Sequence, residues 1–298
     1  LYQDILIEQA RQSLKTNRAS LLVAATGAGK TALTVHMMKA AADRGLSSIF
    51  CVHRDTLLSQ TSRALWQQKV QHGIIAAGRT MSREPVQVAS VQTLVRRLDR
   101  VQAPKLIIID EAHRAAANTY RKILAHYPEA KIIGLTATPQ RTDGKGLADV
   151  FDDLVLGPSV NELIQQGWLC GYQIFAPPTK AEFKELRKRL GDFAADEVEK
   201  MMDKPSITGD AVSHYLKYAN RKRCVVFCAT IKHALHVCEA YNDAGIPAEH
   251  IDADTPWPER QAMLKRFASG ETLVLTNVEL VIVGVDVPAI EAVQWLRP

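Results

Sequence analysis

The amino-acid sequence predicts an α/β protein built on parallel β-sheet and divided into two domains. Three observations carry this. Short, unbroken apolar runs recur at Ser20–Ala24, Ser48–Val52, Lys105–Ile109 and Lys131–Leu135, and segments with helical periodicity lie between several of them. A strand without polar alternation is buried on both faces, as in a parallel sheet with helices above and below. The first run enters a glycine-bearing loop that opens directly into a helix. Finally, 298 residues are enough chain for about two cores.

Composition narrows the class. Hydrophobic residues make up 47% and charged residues 23%, ordinary values for a water-exposed globular chain. No apolar run approaches the ~18 residues of a membrane span, and no secretory leader opens the chain. The five cysteines are odd in number and lack framework spacing, which points to a reducing, cytoplasmic setting. A net charge of +5 is compatible with nucleic acid without requiring it. The chain opens at Leu1 rather than Met, which suggests a fragment or a trimmed N-terminus.

Asp4 to Leu14 is an amphipathic helix that feeds the first strand, Ser20–Ala24. Thr26-Gly27-Ala28-Gly29-Lys30-Thr31 follows, and a helix is expected from Thr31 to Ala42. Gly27 and Gly29 allow close backbone approach, and the helix N-terminus favours an anion. Lys30 can reach β- and γ-phosphates, and the Thr31 hydroxyl can bind Mg²⁺. Ala24 stands where the phosphate-loop pattern has its first Gly.

Strand Ser48–Val52 ends in His53-Arg54-Asp55, which places Arg54 where a phosphate backbone could be met. Ile74–Ala76 and Val86–Ala89 are further strands, with Gly78-Arg79 between them. Ser90 and Thr93 sit at the start of a helix, either as plain caps or as phosphate contacts. Lys105–Ile109 runs into Asp110-Glu111-Ala112-His113. Carboxylates at the end of an apolar strand call for a cation, so Asp110 is a Mg²⁺ ligand candidate and Glu111 a residue to position or activate water. Thr136 and Thr138 close the strand Lys131–Leu135 and are placed to bond His113 or a carboxylate.

Together these stretches resemble the superfamily 2 helicases and translocases. Ala24 to Thr31 looks like motif I, and Asp110 to His113 like motif II of the DEAH kind. Thr136-Ala137-Thr138 resembles motif III, His53 to Leu57 motif Ia, and Val88 to Leu94 motif Ic. Tyr2-Gln3 resembles the adenine-reading Gln motif. The resemblance implies two RecA-like parallel-sheet P-loop lobes in tandem, with ATP and Mg²⁺ as cofactors. It implies an ATP hydrolase with Glu111, Lys30, Asp110 and His113 in catalysis. Gln3, Thr26, Gly27, Ala28, Gly29, Lys30 and Thr31 would hold nucleotide, and Thr31 and Asp110 the Mg²⁺. Arg54, Gly78, Arg79, Ser90 and Thr93 would touch nucleic acid, with Thr136 and Thr138 in coupling. Thr136 in place of Ser, with the compact layout, looks most like DNA-acting phage, repair and restriction members, so DNA is expected over RNA. An accessory or nuclease subunit is left open.

The later residues continue the likeness. Residues 1–157 read as the first lobe, 158–207 as a connector and 208–298 as the second lobe. Ser159 caps a helix that stops at Gly167, and Trp168 to Phe175 reads as strand-like. Lys180 to Lys204 carries Phe183, Leu186, Leu190 and Phe193 as a helical stripe, split at Gly191. That segment is a solvated linker, or else a DNA contact through Lys184, Arg187, Lys188 and Arg189. Strand Cys224–Cys228 leads to Thr230 and a helix from Ile231 to Ala244, resembling motif IV. Ile231, Ala234, Leu235, Cys238 and Tyr241 make its core face, and the histidines are expected on its surface. His236 then lies ~200° from Cys238, so no structural zinc is expected.

Thr272–Thr276 and the stretch Gly284-Val285-Asp286-Val287-Pro288 resemble motif V, which implies nucleic-acid contact by Thr276 and nucleotide contact by Gly284 and Asp286. Thr230 joins the nucleic-acid set. Glu291 to Leu296 is a last strand, and the Gly-Arg stretch of motif VI does not appear, so the second lobe is expected to be incomplete and the ATPase weak. The function expected is an ATPase that unwinds or moves along DNA. A duplex translocase without strand separation, an RNA remodeller and an ATP-gated binding module are the alternatives.

Overall fold

The computed structural model describes residues 1–53, 55–139, 146–176, 188–189, 192–193, 205–278 and 289–297. They fall into two compact units, Leu1–Ile174 and Phe175–Pro298.

The first unit contains α1 (Tyr2–Thr16), β1 (Ala19–Val23), α2 (Lys30–Ala42), β2 (Ser48–Val52), α3 (Asp55–Gln67), β3 (Gly73–Ile75), β4 (Val86–Ser90) and the single turn α4 (Val91–Leu94). Then come β5 (Leu106–Ile109), α5 (Asn118–His126), β6 (Lys131–Thr136), β7 (Asp153–Leu156) and α6 (Val160–Gln165). Seven strands pair in parallel in the order β3-β4-β2-β5-β6-β1-β7. The apolar runs become buried strands because both faces are covered. Leu22, Phe50, Val88 and Ile108 meet Leu6, Leu33, Met38 and Leu65 from α1, α2 and α3. Ile49, Cys51, Ile107 and Ile109 meet Leu94, Tyr120 and Ile123 from α4 and α5. Burying a Leu or Ile side chain in this way contributes roughly 1.5–3 kcal/mol.

The strand order decides the site. β6 lies between β1 and β5, so the segments that leave β1, β6 and β5 emerge side by side. Beyond α6 the chain differs from expectation. Trp168 to Phe175 forms no strand and runs as irregular chain. Trp168, Tyr172, Ile174 and Phe175 are exposed. Leu163 on α6 is fully buried in the first unit's core.

The second unit begins with β8 (Lys188–Arg189) and β9 (Asp192–Phe193), paired antiparallel. A helix was expected here; the described residues pair as two short strands instead. The rest of the expected helix over 180–204 lies outside the described residues. Next come α7 (Pro205–Tyr218), β10 (Cys224–Cys228), α8 (Ile231–Asp243), β11 (Ala248–Ile251), α9 (Trp257–Ser269), β12 (Val274–Asn277) and β13 (Ala292–Leu296). The four later strands are parallel in the order β11-β12-β10-β13.

α8 presents His233, Ala234, Val237 and Tyr241 to the core, while Ile231 and Leu235 are exposed. Ala234 and Tyr241 lie in the core as expected, whereas Ile231 and Leu235 do not, and His233 is buried rather than at the surface. Tyr241 is the reason: it packs at right angles on Tyr215 of α7, and its hydroxyl donates to Gln294 on β13 at 2.6 Å. That anchors the face one residue off the most apolar stripe. On the α9 side Phe267 and Met263 cover Val225, Phe227 and Leu275. Val293 and Trp295 on β13 are exposed.

Candidate functional site

The loop after β1 is shaped by its glycines and by contacts from α1. Gly27 and Gly29 take φ of +82° and +76°, a left-handed backbone that side chains disfavour. A Cβ on Gly27 would lie 2.9 Å from Leu169, and one on Gly29 2.6 Å from the Gln3 amide. The loop's Ala28 carbonyl accepts from the Tyr2 hydroxyl at 2.8 Å and from Gln3 Nε2 at 3.1 Å. α1 is therefore bolted onto the loop at its first turn. Trp168 packs edge-on against Tyr2, with ring centroids 5.7 Å apart. Lys30, the first residue of α2, donates to the Ala24 carbonyl at 3.4 Å, and Thr31 is exposed at the helix start. With Gly29 as a helix cap lacking a side-chain partner, the α2 N–H groups remain available to an anion.

Two strands away, Asp110 follows β5. Its backbone N–H donates to the Cys51 carbonyl at 3.1 Å, and the residue is buried. Burial pushes the Asp110 carboxyl up to about 6, and the neighbouring Glu111 charge adds to that; the Lys30 ammonium pulls it the other way. A buried acid in this condition accommodates a divalent cation readily. Glu111 adopts φ +48° and ψ +53°, a strained conformation for a non-glycine residue that costs on the order of 1–3 kcal/mol. His113 Nδ1 lies 3.3 Å from Glu111 Oε2 and 3.5 Å from Thr136 Oγ1. The Thr136 hydroxyl donates to the Thr138 carbonyl at 2.7 Å and accepts from the Thr138 N–H at 3.1 Å. Thr138 thus joins through its backbone. The Thr136 carbonyl accepts from Ala24 N–H at 2.9 Å, which ties the end of β6 to the start of the phosphate loop.

At the next strand ends, the Ser90 hydroxyl donates to Gln92 Oε1 at 2.9 Å, and Gln92 Nε2 lies 3.2 Å from His53 Nδ1. Thr93 is half-buried, while Gly78 and Arg79 form an exposed turn. In the second unit Thr230 caps α8 by accepting from the His233 N–H at 3.2 Å. Thr276 is fully buried and its hydroxyl meets His250 Nδ1 at 3.2 Å, so it is not presented to a phosphate, in contrast to the expectation. Arg54, Gly284 and Asp286 lie outside the described residues. Tyr2 and Gln92 lie inside the stretches that resemble the Gln motif and motif Ic, but motif reading gives neither side chain a role, and Leu169 lies outside the motifs.

The parallel sheet, the glycine loop and the acid pair at neighbouring strand ends define a RecA-like protein of the P-loop class. Residues 1–141 match the family described as type III restriction enzyme, res subunit, and residues 208–297 match the helicase conserved C-terminal domain. A Lactococcus phage protein of 51.5 kDa is 32% identical over 91% of this chain and 57% of its own length. A Saccharomyces cerevisiae protein named as an ATP-dependent helicase, IRC3, is 30% identical over 99% of this chain and 46% of its own. The helicase domain of Pyrococcus furiosus Hef shares the fold, with a TM-score of 0.64 at 16% identity over 100% of this chain and 89% of that one. The chain belongs to the superfamily 2 helicases. It spans about half the length of these two relatives.

Proposed function

We propose that the chain is an ATP-hydrolysing motor module that moves along or remodels nucleic acid, DNA rather than RNA. The observation that carries this is the placement of Lys30, Asp110, Glu111, His113 and Thr136 at the ends of three adjacent parallel strands. Lys30 and the α2 N–H groups would neutralise the β- and γ-phosphates, with Gln3 and Tyr2 fixing the loop that presents them. Thr31 and Asp110 would hold Mg²⁺, which supplies charge neutralisation across those phosphates. Glu111 would position the attacking water and take its proton. His113 faces both Glu111 and Thr136, so a change at the acid is felt at β6 and through it at the loop after β1. Ser90, Thr93, Arg79 and Thr230 are the candidate contacts for the phosphate backbone. The preference for DNA rests on the restriction-enzyme description of the first-unit match.

The test is ATP turnover measured alone and with single-stranded DNA, duplex DNA and RNA, with Lys30→Ala as the inactive control. DNA should raise the rate above that with RNA. A rate indifferent to all three nucleic acids would sink the motor reading.

A further inference from the structure

Past α6 the chain turns back onto the phosphate loop. Gly167 ends the helix with φ +75°, and the N–H groups of Trp168 and Leu169 both reach the Leu163 carbonyl, at 2.8 and 3.2 Å. Leu163 is fully buried in the first unit's core, so this turn has a fixed base. The next two side chains then meet two consecutive residues of the loop. Leu169 packs on the core and covers Gly27 so closely that a Cβ there would lie 2.9 Å from its Cδ2. Trp168 sets its ring edge-on against Tyr2, whose hydroxyl donates to the Ala28 carbonyl. One contact on the loop is direct and the other runs through Tyr2.

The attachment ends there. Residues 170–174, the last of the first unit, are all exposed, and Trp168 itself stays 50% exposed. Few apolar contacts and an exposed backbone mark a segment that opens at low cost. Opening it would take Leu169 off Gly27 and Trp168 off Tyr2, and so would loosen the loop that presents its N–H groups to phosphates. Coupling of this kind is reciprocal. If the docked segment favours the loop shape that takes phosphates, phosphates in the loop must favour the docked segment by the same factor.

We propose that Trp168 and Leu169 are positioning residues for the phosphate loop, and that nucleotide bound there fastens the segment by which the chain leaves the first unit. This rests on the nucleotide reading of the loop given above. It adds a route from that site to the connector that does not pass through the acid pair.

Two measurements on the full chain test it. The first is anisotropy of a fluorescent ATP analogue with Mg²⁺. Leu169→Ala should weaken binding about fivefold, the lower end of ordinary couplings between sites. Trp168→Ala should weaken it by less, and Leu169→Met should bind as the parent does. The second is chymotryptic cleavage after Trp168, followed by fragment mass, since a protease needs the segment lifted off. A non-hydrolysable ATP analogue with Mg²⁺ should slow that cleavage in the parent by a factor similar to the affinity loss in Leu169→Ala. Leu169→Ala should be cut faster without nucleotide, and Lys30→Ala should lose the protection. Parental affinity in Leu169→Ala, or a cleavage rate that bound nucleotide leaves unchanged, overturns the proposal and reduces the contact to packing. Should Leu169→Ala melt under the assay conditions, protection of the parent decides alone, because it needs no substitution. If the parent binds no nucleotide, the reading of the loop itself fails and this inference falls with it.

Discussion

Asp110 shows at the level of one side chain how this site is poised for a cation. Its carboxyl, ordinarily near 3.8, is pushed up to about 6 by burial and by Glu111. A raised carboxyl binds its proton more tightly in the folded chain than in the unfolded one, so stability declines as pH rises from about 4 through 6. Asp110→Asn, assayed with a chelator, should therefore be more stable than the parent at pH 7.5, by about 3 kcal/mol at most. The difference should shrink toward pH 4, and thermal melts across that range read it directly. The same variant should lose the stabilisation that Mg²⁺ and nucleotide give the parent. Glu111 makes a complementary point. Its left-handed backbone is invisible in the sequence, because an Asp-Glu pair after an apolar strand does not fix the backbone conformation that follows. Thr276 is the converse: the likeness to motif V marked it as a nucleic-acid contact, and packing against His250 buries it.

Elements were legible where the chain had only one way to bury them. β2, β5 and β6 are continuous apolar runs too short for helices, and they lie within a residue of where periodicity puts them. The face of α8 was not legible, since Tyr241 chooses its partners from α7 and β13, both remote in sequence. Nor was the irregular path of Trp168 to Phe175, whose aromatic content mimics a strand. What the candidate site owes to motifs is its list of residues. What it owes to the sheet is the insertion of β6 between β1 and β5, a tertiary choice no local pattern encodes.

In the second unit, Glu249 on β11 accepts from Arg266 Nε of α9 at 3.0 Å, from Arg266 Nη2 and from Thr272. The Arg266 hydrogen bonds hold the Glu249 carboxyl below its ordinary 4.5. That stability is present above the unfolded value and is lost as pH falls through the folded one. Glu249→Gln should destabilise the second unit by about 1 kcal/mol at pH 7, after allowance for solvent screening, and the difference should vanish near pH 3. Denaturant melts at the two pH values measure it. An equal loss at both would assign the effect to packing.

At the scale of the molecule, the residues that would touch the phosphates and Mg²⁺ among those described fall within Leu1–Ile174, whereas Phe175–Pro298 has its own sheet and core. Calorimetry should resolve two transitions, and Mg²⁺ with a non-hydrolysable ATP analogue should raise only the one that Asp110→Asn also moves. A single transition shifted as a whole would mean that the units melt together. The net charge of +5, concentrated in residues 79–105, should make nucleic-acid affinity fall steeply with salt.

The double grip of Tyr2 and Gln3 on the Ala28 carbonyl has a kinetic meaning. A cradle already shaped when its guest arrives needs no slow rearrangement after encounter. Stopped-flow mixing with fluorescent nucleotide should thus give one exponential whose rate climbs linearly with concentration. Tyr2→Phe, by slackening the grip, should add a second phase that saturates. Capture would then be limited by the time the loop takes to find its own shape.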